Sequence, residues 1–448
     1  MKILLVRPPR IKQAITLSNF MFSEPLGLEM VFSVFEENHD VEIFDMMIED
    51  ISITEKIKTY KPNIVGITSL CIDVLQVIDL SREIKEFDHN IITFVGGTQA
   101  LLSPESFFEE SVDFVFNYTT KENLTDFISN KSNIPGVFQK RNDFLDVFTK
   151  SKNEYILPNR ESTNKYRSNY SYFGYKPAAI MEYGLGCEKK CDFCLRWRIE
   201  GFKEFEIDKE LTKKDLLNIK EKTIMFIDND FLASRSKVKG FIDLILELNL
   251  DKNYIVYGSV NGVLENKDLL VDLKNLGLKA ILIGYETFKD DELINYHKKA
   301  TSLDNIVASE ILKDIGIDVW ASFIAHPDWS KSDFKTFRKY IKKLKPEITS
   351  INPLTPFPGL PLYNKYKDRL LFSKEDYPIW SFGQVTIMPS KVSLRMYYYQ
   401  LLLTYLYVNL VVNKNTEMLK KFGMKNIIRI LVGSIRASSK YLSLMIRN

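Results

Sequence analysis

At 448 residues, with 45% hydrophobic and 27% charged side chains, the chain is too long for one ordinary core and too apolar to be disordered, which points to a globular protein of two or three domains. Its 61 basic and 58 acidic side chains nearly cancel to a formal charge of +3, so no global field argues for a nucleic-acid partner. Four cysteines in so long a chain exclude a disulfide framework and suit a reducing, cytoplasmic compartment, and the segment from Met1 to Val6 reads as a strand rather than a cleavable leader.

The first 130 residues alternate short strand-like runs (Ile3–Val6, Val41–Phe44, Ile64–Ile67, Ile91–Val95 and Phe114–Phe116) with amphipathic stretches such as Leu28–Asn38 and Val74–Phe87. This alternation predicts an α/β fold: a doubly wound, Rossmann-like parallel sheet over residues 1–130, with its ligand at the carboxyl ends of the strands. Two such ends stand out. Thr68-Ser69-Leu70 and Gly96-Gly97-Thr98-Gln99-Ala100 put hydroxyls and side-chain-free backbone on one edge, where a flat, amide-decorated ligand can rest. Alone, Gly96-Gly97 reads equally as a tight strand-to-helix turn, and Cys71 just beyond Leu70 reads as a buried inert thiol.

With Pro25-Leu26-Gly27-Leu28, Lys61-Pro62-Asn63-Ile64-Val65-Gly66-Ile67 and Ser103-Pro104-Glu105, these phrases resemble the cobalamin-binding domain found ahead of many radical S-adenosylmethionine (radical SAM) domains. The resemblance implies that Thr68, Ser69, Leu70, Gly96, Gly97 and Thr98 face cobalamin. The chain departs from the pattern twice. The loop Arg7–Asn19 has no D-x-H-x-x-G histidine, so the resemblance implies cobalamin bound without a protein histidine below the cobalt; Asn117-Tyr118-Thr119 replaces a Gly-Glu-Gly-like turn.

Periodicity fades over residues 131–177, where Pro135-Gly136, Pro158 and the tyrosine-rich run Glu161–Tyr175 read as a linker. Strand–helix alternation resumes over residues 178–365. Its first strand, Ala179–Tyr183, leads into Cys187-Glu188-Lys189-Lys190-Cys191-Asp192-Phe193-Cys194, which packs three of the four cysteines into eight positions. Three thiolates at this spacing hold three irons of a cubane cluster and leave the fourth open for chemistry, whereas structural zinc takes four ligands. The alternative is a zinc knuckle completed by His39, His89, His297 or His326, none near the triplet in sequence.

Four later strand ends carry polar or small residues: Asp228-Asn229-Asp230, Gly258-Ser259, Gly284-Tyr285-Glu286-Thr287 and Ala325-His326-Pro327-Asp328. Strand carboxyl ends form the active rim of parallel barrels, which predicts a full or partial (β/α) barrel. Glu286 can accept from a ribose hydroxyl or an ammonium and Gly284 permits close backbone approach, although charged strand ends are commonly solvated rims or helix caps. His326 reads either as a general acid or base or as a plain turn histidine.

The triplet with Phe193 before its last cysteine, the order of Asp228-Asn229-Asp230-Phe231 and Gly284-Tyr285-Glu286-Thr287, and the proline-rich Thr355–Tyr363 resemble the cobalamin-associated branch of radical SAM enzymes, over roughly Met1–Pro389. That resemblance implies a [4Fe-4S] cluster on Cys187, Cys191 and Cys194, with S-adenosylmethionine facing Phe193, Asp228, Asp230, Ser259, Gly284 and Glu286. It further implies an electron donor such as flavodoxin or ferredoxin, and a 5′-deoxyadenosyl radical used, with cobalamin, to methylate an unactivated carbon of a small-molecule, lipid or peptide substrate. The alternatives are radical cyclisation, rearrangement or oxidation without methyl transfer, and, in another class, a non-catalytic iron-sulfur scaffold or sensor.

Residues 366–448 read as a mostly helical region. Trp380–Pro389 suggests one more extended segment, and Leu394–Val412, interrupted by Arg395, Gln400 and Asn409, suggests a buried or docking helix rather than a membrane span. Beyond it, eight basic residues (Lys414, Lys420, Lys421, Lys425, Arg429, Arg436, Lys440 and Arg447) interleave with Met418, Leu419, Phe422, Ile427, Ile428, Ile430, Leu431 and Leu442, against one acid, Glu417. This basic amphipathic pattern fits a helical cap with a solvated face or a peripheral membrane contact.

Overall fold

In the computed structural model the described residues are 1–9, 11, 21–139, 154–413 and 415–447. The histidine-free loop beyond Ile11, the middle of the linker (140–153), and the side chains of 414–422, 425–427, 429–431 and 437 lie outside the description.

The strands of the first sheet are β1 Lys2–Arg7, β2 Asp40–Asp45, β3 Ile64–Thr68, β4 Ile92–Gly96, β5 Phe114–Phe116 and β6 Val137–Phe138, in the order β2-β1-β3-β4-β5-β6. All pairs are parallel except the last, in which Val115 faces Phe138. Alternate residues of one strand serve opposite layers. Leu4 and Val6 pack with Ile53, Ile57, Val74 and Val77 of two helices, while Ile3 and Leu5 pack with Val31, Phe35, Leu124 and Phe127 of two others. A strand apolar on both sides is therefore covered on both faces, as the near-continuous apolar runs predict. Local chemistry starts the helices: Ser52 accepts from Glu55 N–H, and Thr120 and Asn123 cap each other reciprocally.

The second sheet comprises β7 Ala178–Met181, β8 Thr223–Phe226, β9 Asn253–Gly258, β10 Leu278–Glu286, β11 Asp318–Ala325 and β12 Ile348–Pro353, all parallel and adjacent in chain order. The two end strands do not pair, so this is an open, partial barrel. Its concave face (Ile180, Met225, Ile255, Ala280 and Trp320) is filled at one end by Tyr172 and Phe173 of the linker. The strand β12 is absent from the sequence reading, because Ile348-Thr349-Ser350-Ile351-Asn352-Pro353 mixes polar residues into a half-exposed edge.

Two expectations for the carboxyl-terminal region need correction. Trp380–Pro389 is not a strand: apart from one isolated bridge, Leu370 to Ile387, it is an irregular strap whose Trp380 and Ile387 bury against Phe193 and Leu195. The apolar run after it is two elements, a helix Leu394–Tyr407 and a π-helical turn Val408–Val412, followed by the helix Asn415–Arg447. No helix among the described residues is long and apolar enough to cross a membrane.

The linker joins the two sheets covalently and electrostatically. Ser171–Tyr172 pairs antiparallel with Met21–Phe22, and a buried ion network spans three segments. Arg160 meets Glu24 at 2.5 Å and Asp215 at 2.7 Å; Arg167 meets Glu29 at 3.1 Å and Glu221 at 3.4 Å, and also pairs with Glu24. The Tyr155 hydroxyl donates to Asp215 at 2.5 Å, and Ile180 N–H of β7 donates to Glu24 at 3.0 Å. Four acids share two guanidiniums in this network, so burial, and then the neighbouring Glu24, push Glu29 from the ordinary value of 4.5 up to about 8. The folded chain thus holds a proton that the unfolded chain releases, and this contribution to stability is lost as pH rises from about 4.5 to about 8. Glu29→Gln, which mimics the protonated carboxyl, should gain thermal stability relative to wild type as pH rises from about 4.5 to about 8; melting curves that stay parallel across that range would refute the assignment.

Candidate active site

At the carboxyl edge of the first sheet, β3 and β4 end in register, Thr68 beside Gly96. Ser69 N–H donates to Gly96 O at 2.9 Å, and Gln99 N–H donates to Ser69 O at 3.2 Å. Gly97 adopts φ +97°, and a Cβ there would lie 2.8 Å from Ser69 N, Ser69 O and Thr68 Oγ1. Glycine is required because the two turns close on each other there, whether or not a ligand approaches its backbone. The buried Ser69 Oγ has no hydrogen-bond partner, and an orphaned hydroxyl at this edge fits a polar ligand. Leu70 projects outward, 53% exposed, its N–H held by Asp73 at 3.1 Å. Burial, then Asp73, push the Cys71 thiol up to about 12, so it stays protonated.

The cysteine loop is pinned at both ends. Gly184–Leu185 pairs antiparallel with Phe205–Glu206, Cys187 N–H donates to Gly201 O at 3.2 Å, and Trp197 Nε1 donates to Cys191 O at 3.0 Å. Arg196, two residues past Cys194, donates to Asn229 Oδ1 at 2.5 Å and Ile227 O at 2.7 Å and pairs with Glu200 at 2.7 Å, tying the loop to the end of β8. Burial raises all three thiols, Cys191 to about 11, while Lys298 pulls each the other way. Buried thiols of this kind ionise when a metal centre compensates them, so a soft, three-thiolate donor set beside an ammonium suits a cluster with one open iron. The structure brings His297 Nδ1 to 3.3 Å from Asp192 inside the loop, a proximity the sequence conceals. Even so, no three His, Cys, Asp or Glu among the described residues gather as a single-ion site.

The strand-end residues divide into two groups. Asp230 and Glu286 pair with lysines on the side of the cysteine loop: Lys189 to Asp230 at 2.5 Å, and Lys298 to Glu286 at 2.7 Å. Glu286 sits at φ +59°, and any side chain on Gly284 would run into its carboxylate. Burial lowers the pKa of Lys298, but Glu286 and the cysteine thiols outweigh it and raise it overall. Phe193 stands by, its ring 5.8 Å from Lys298 Nζ and edge-on to Tyr296 at 5.2 Å. Asp228 and Ser259 are committed elsewhere. Asp228 accepts from Tyr183 N–H at 2.8 Å and pairs with the buried Lys237 at 2.8 Å; Ser259 caps the next helix by accepting from Gly262 N–H at 3.1 Å. His326 is turned away: Nδ1 accepts from Asp328 N–H at 3.1 Å, Nε2 lies 3.2 Å from the Tyr366 hydroxyl, and burial lowers it to about 4. It does not line the cavity described next.

Between the two sheets lies a cavity of about 780 Å³. Leu70, Cys71 and Thr98 line it from the first domain; Phe193, Cys194 and Arg196 from the cysteine loop; Thr349, Ser350 and Asn352 from β12. Trp380, Ser381 and Phe382 of the strap and Tyr405, Ser434 and Tyr441 of the last helices complete the wall. Buried Thr349 Oγ1 and Ser381 Oγ lack partners, as Ser69 Oγ does. The sequence reading missed Lys298, Lys189, Arg196 and the β12 hydroxyls; only the basic run His297-Lys298-Lys299 offered a signal, and it looks like an ordinary solvated turn.

A Radical SAM superfamily profile matches residues 181–341, and a B12 binding domain profile matches residues 15–124. The chain is 27% identical over 398 residues to the hopanoid C-3 methylase of Methylococcus capsulatus, covering 86% of this chain and 76% of that protein. It is 22% identical over 366 residues to an anaerobic magnesium-protoporphyrin IX monomethyl ester cyclase of Rubrivivax gelatinosus, covering 75% and 65%. In fold it is similar to the cobalamin-dependent S-adenosylmethionine radical enzyme OxsB, solved with aqua-cobalamin and S-adenosylmethionine bound, with a TM-score of 0.68 at 15% identity over 99% of this chain and 80% of that one. Since a B12-binding domain precedes a radical SAM domain here and both open on one cavity, the chain belongs to the cobalamin-dependent radical SAM enzymes, with a [4Fe-4S] cluster, S-adenosylmethionine and cobalamin as its cofactors.

Proposed function

We propose that this enzyme methylates a carbon bearing no activating group. The observation that carries the reading is the shared cavity, which Leu70 and Thr98 line from the cobalamin-type edge and Phe193 and Cys194 from the cysteine loop. When bound, the cluster and S-adenosylmethionine supply a hydrogen-abstracting radical and cobalamin supplies a methyl group. A substrate held in this one space meets both without diffusing between sites, and that proximity selects methylation among the outcomes open to a carbon radical.

The chain's own residues then have positional tasks. Cys187, Cys191 and Cys194 hold the cluster, and Lys298 offsets their negative charge while fixing Glu286 as an acceptor toward the cosubstrate. Phe193 lines the cavity; Asp230 is oriented by Lys189 and Ser259 N–H, whereas Asp228 and Ser259 are held at their strand ends by Tyr183 N–H and Gly262 N–H. Ser69 Oγ offers a hydrogen bond to the corrin periphery, with no histidine among the residues lining the cavity. Trp380, Phe382 and Phe357 exclude water from the reacting carbon. The likeness to a cyclase supports ring closure without methyl transfer as the second reading.

Cys191→Ala should abolish both iron incorporation and release of 5′-deoxyadenosine in anaerobically reconstituted protein; stoichiometric zinc without iron in the wild-type protein would contradict the cluster assignment. Gly97→Val should cut corrinoid retention, read from the visible spectrum after desalting, while leaving iron content intact. Equal retention by the variant would show that this turn does not shape the cobalamin site. With its substrate, the wild-type enzyme should yield both 5′-deoxyadenosine and S-adenosylhomocysteine. Turnover that gives 5′-deoxyadenosine alone would select the ring-closure or oxidation reading instead.

A further inference from the structure

The last helix, Asn415–Arg447, bends at Gly423 and shows two different faces along its carboxyl-terminal part. One face belongs to the body of the protein. Tyr441 is buried, its ring stacked on Tyr405 at 5.5 Å and its hydroxyl donating to Gly383 O at 2.6 Å, and with Ser434 and Ser438 it lines the cavity. The other face carries Met424, Ile428, Val432, Ile435, Leu442 and Ile446, all exposed, Ile435 at 66% and Ile446 at 68%. At about 3.6 residues per turn and about 1.5 Å per residue, these six positions fall within a sector of about 80° and form a stripe about 33 Å long. The preceding helical segment adds exposed Leu406, Leu410 and Val411.

Six large apolar side chains aligned in solvent are not scattered surface residues; they form a patch with a partner. Exposed Arg436 and Arg447 border the stripe on the side away from the cavity. In sequence, residues 413–448 hold eight basic residues against the single acid Glu417. A second copy of this chain would bring the same basic segment against itself, and like charges beside a dry contact repel strongly. An anionic bilayer meets both features, because the apolar stripe sinks to the acyl boundary while the arginines meet lipid phosphates.

We propose that this helix lays the enzyme on an anionic membrane surface and that the cavity behind it takes an apolar, membrane-borne substrate. The docking stands on the helix alone; the substrate class rests on the methylation reading. The cavity fits that class, since Phe173, Phe357, Trp380, Phe382 and Tyr405 supply much of its wall.

Full-length, anaerobically reconstituted protein should sediment with vesicles of phosphatidylcholine and phosphatidylglycerol, more weakly in high salt, and far less with phosphatidylcholine alone. Ile435→Ser with Ile446→Ser should weaken binding to the anionic vesicles by roughly tenfold or more, with iron content and 5′-deoxyadenosine release unchanged. Sedimentation with neither vesicle, or equal sedimentation of wild type and variant, overturns the docking. So does a dimer, seen without vesicles, that the double substitution abolishes, since the stripe would then belong to a second copy. For the substrate, a methyl label from S-adenosylmethionine should appear in the lipid fraction of a membrane extract; label confined to the aqueous fraction overturns the substrate class. Vesicle binding needs no turnover, so its failure is separate from failure of the methylation reading.

Discussion

The cavity exists because a small set of buried charges holds two independent sheets at one spacing. Arg160 and Arg167 lie in the linker, Glu24 and Glu29 in the first domain, and Asp215 and Glu221 in the second, so each guanidinium reaches acids on both sides. Buried ion pairs add little net stability over apolar packing, but removing one partner leaves charges stranded at a cost of about 3–5 kcal/mol. What such a network specifies is geometry. The fork of Arg160, bidentate to Asp215 and directed at Glu24, fixes the direction of approach as well as the distance, which apolar packing alone would leave free to slide. Glu24 also accepts from the N–H of Ile180, so the network grips the first barrel strand itself, just before the cysteine loop.

From that strand the same logic runs into the site. The loop Gly186–Cys194 has little regular structure of its own and takes its shape from Arg196, Asn229 and Glu200, with Asn229 donating to both Gly186 O at 3.0 Å and Glu200 at 2.7 Å. Electrostatics at its centre turn on one cation. Lys298 faces Glu286 and the thiols together, so the position that favours thiolate also holds the Glu286 carboxylate in place. Gly284 leaves the space in which this carboxylate lies, which ties the glycine to a neighbour in its own strand.

Enclosure comes from the carboxyl-terminal region. The strap around Trp380 packs on Phe193 and Leu195 of the cysteine loop, and the Tyr377 hydroxyl reaches Ser106 of the first domain at 3.3 Å. A segment that meets both domains thereby forms one wall of the cavity. The carboxyl-terminal region thus adds its own wall to a cavity that the two domains also line.

The sequence by itself determined the periodic and local features. Five strands of the first sheet and five of the barrel were legible because runs apolar on both faces alternate with helical stretches, whereas the strand Val137–Phe138 falls within the stretch read as linker. The three-cysteine loop was legible because metal-ligand spacing is written in consecutive residues. Tertiary structure alone decided the rest. The strand β12 escaped because an edge strand needs no apolar pattern, and Trp380–Pro389 looked extended because aromatic residues suit a strand as well as a buried strap. Asp228 and Asp230 look equivalent in sequence, yet Lys237 and Tyr183 N–H claim the first while the second faces Lys189 of the cysteine loop. His326 looks reactive in sequence, yet Asp328 N–H and the Tyr366 hydroxyl occupy its two nitrogens. In each case the deciding partner lies far away along the chain, and pairing of charges and hydrogen bonds follows distance in space, which local sequence does not record.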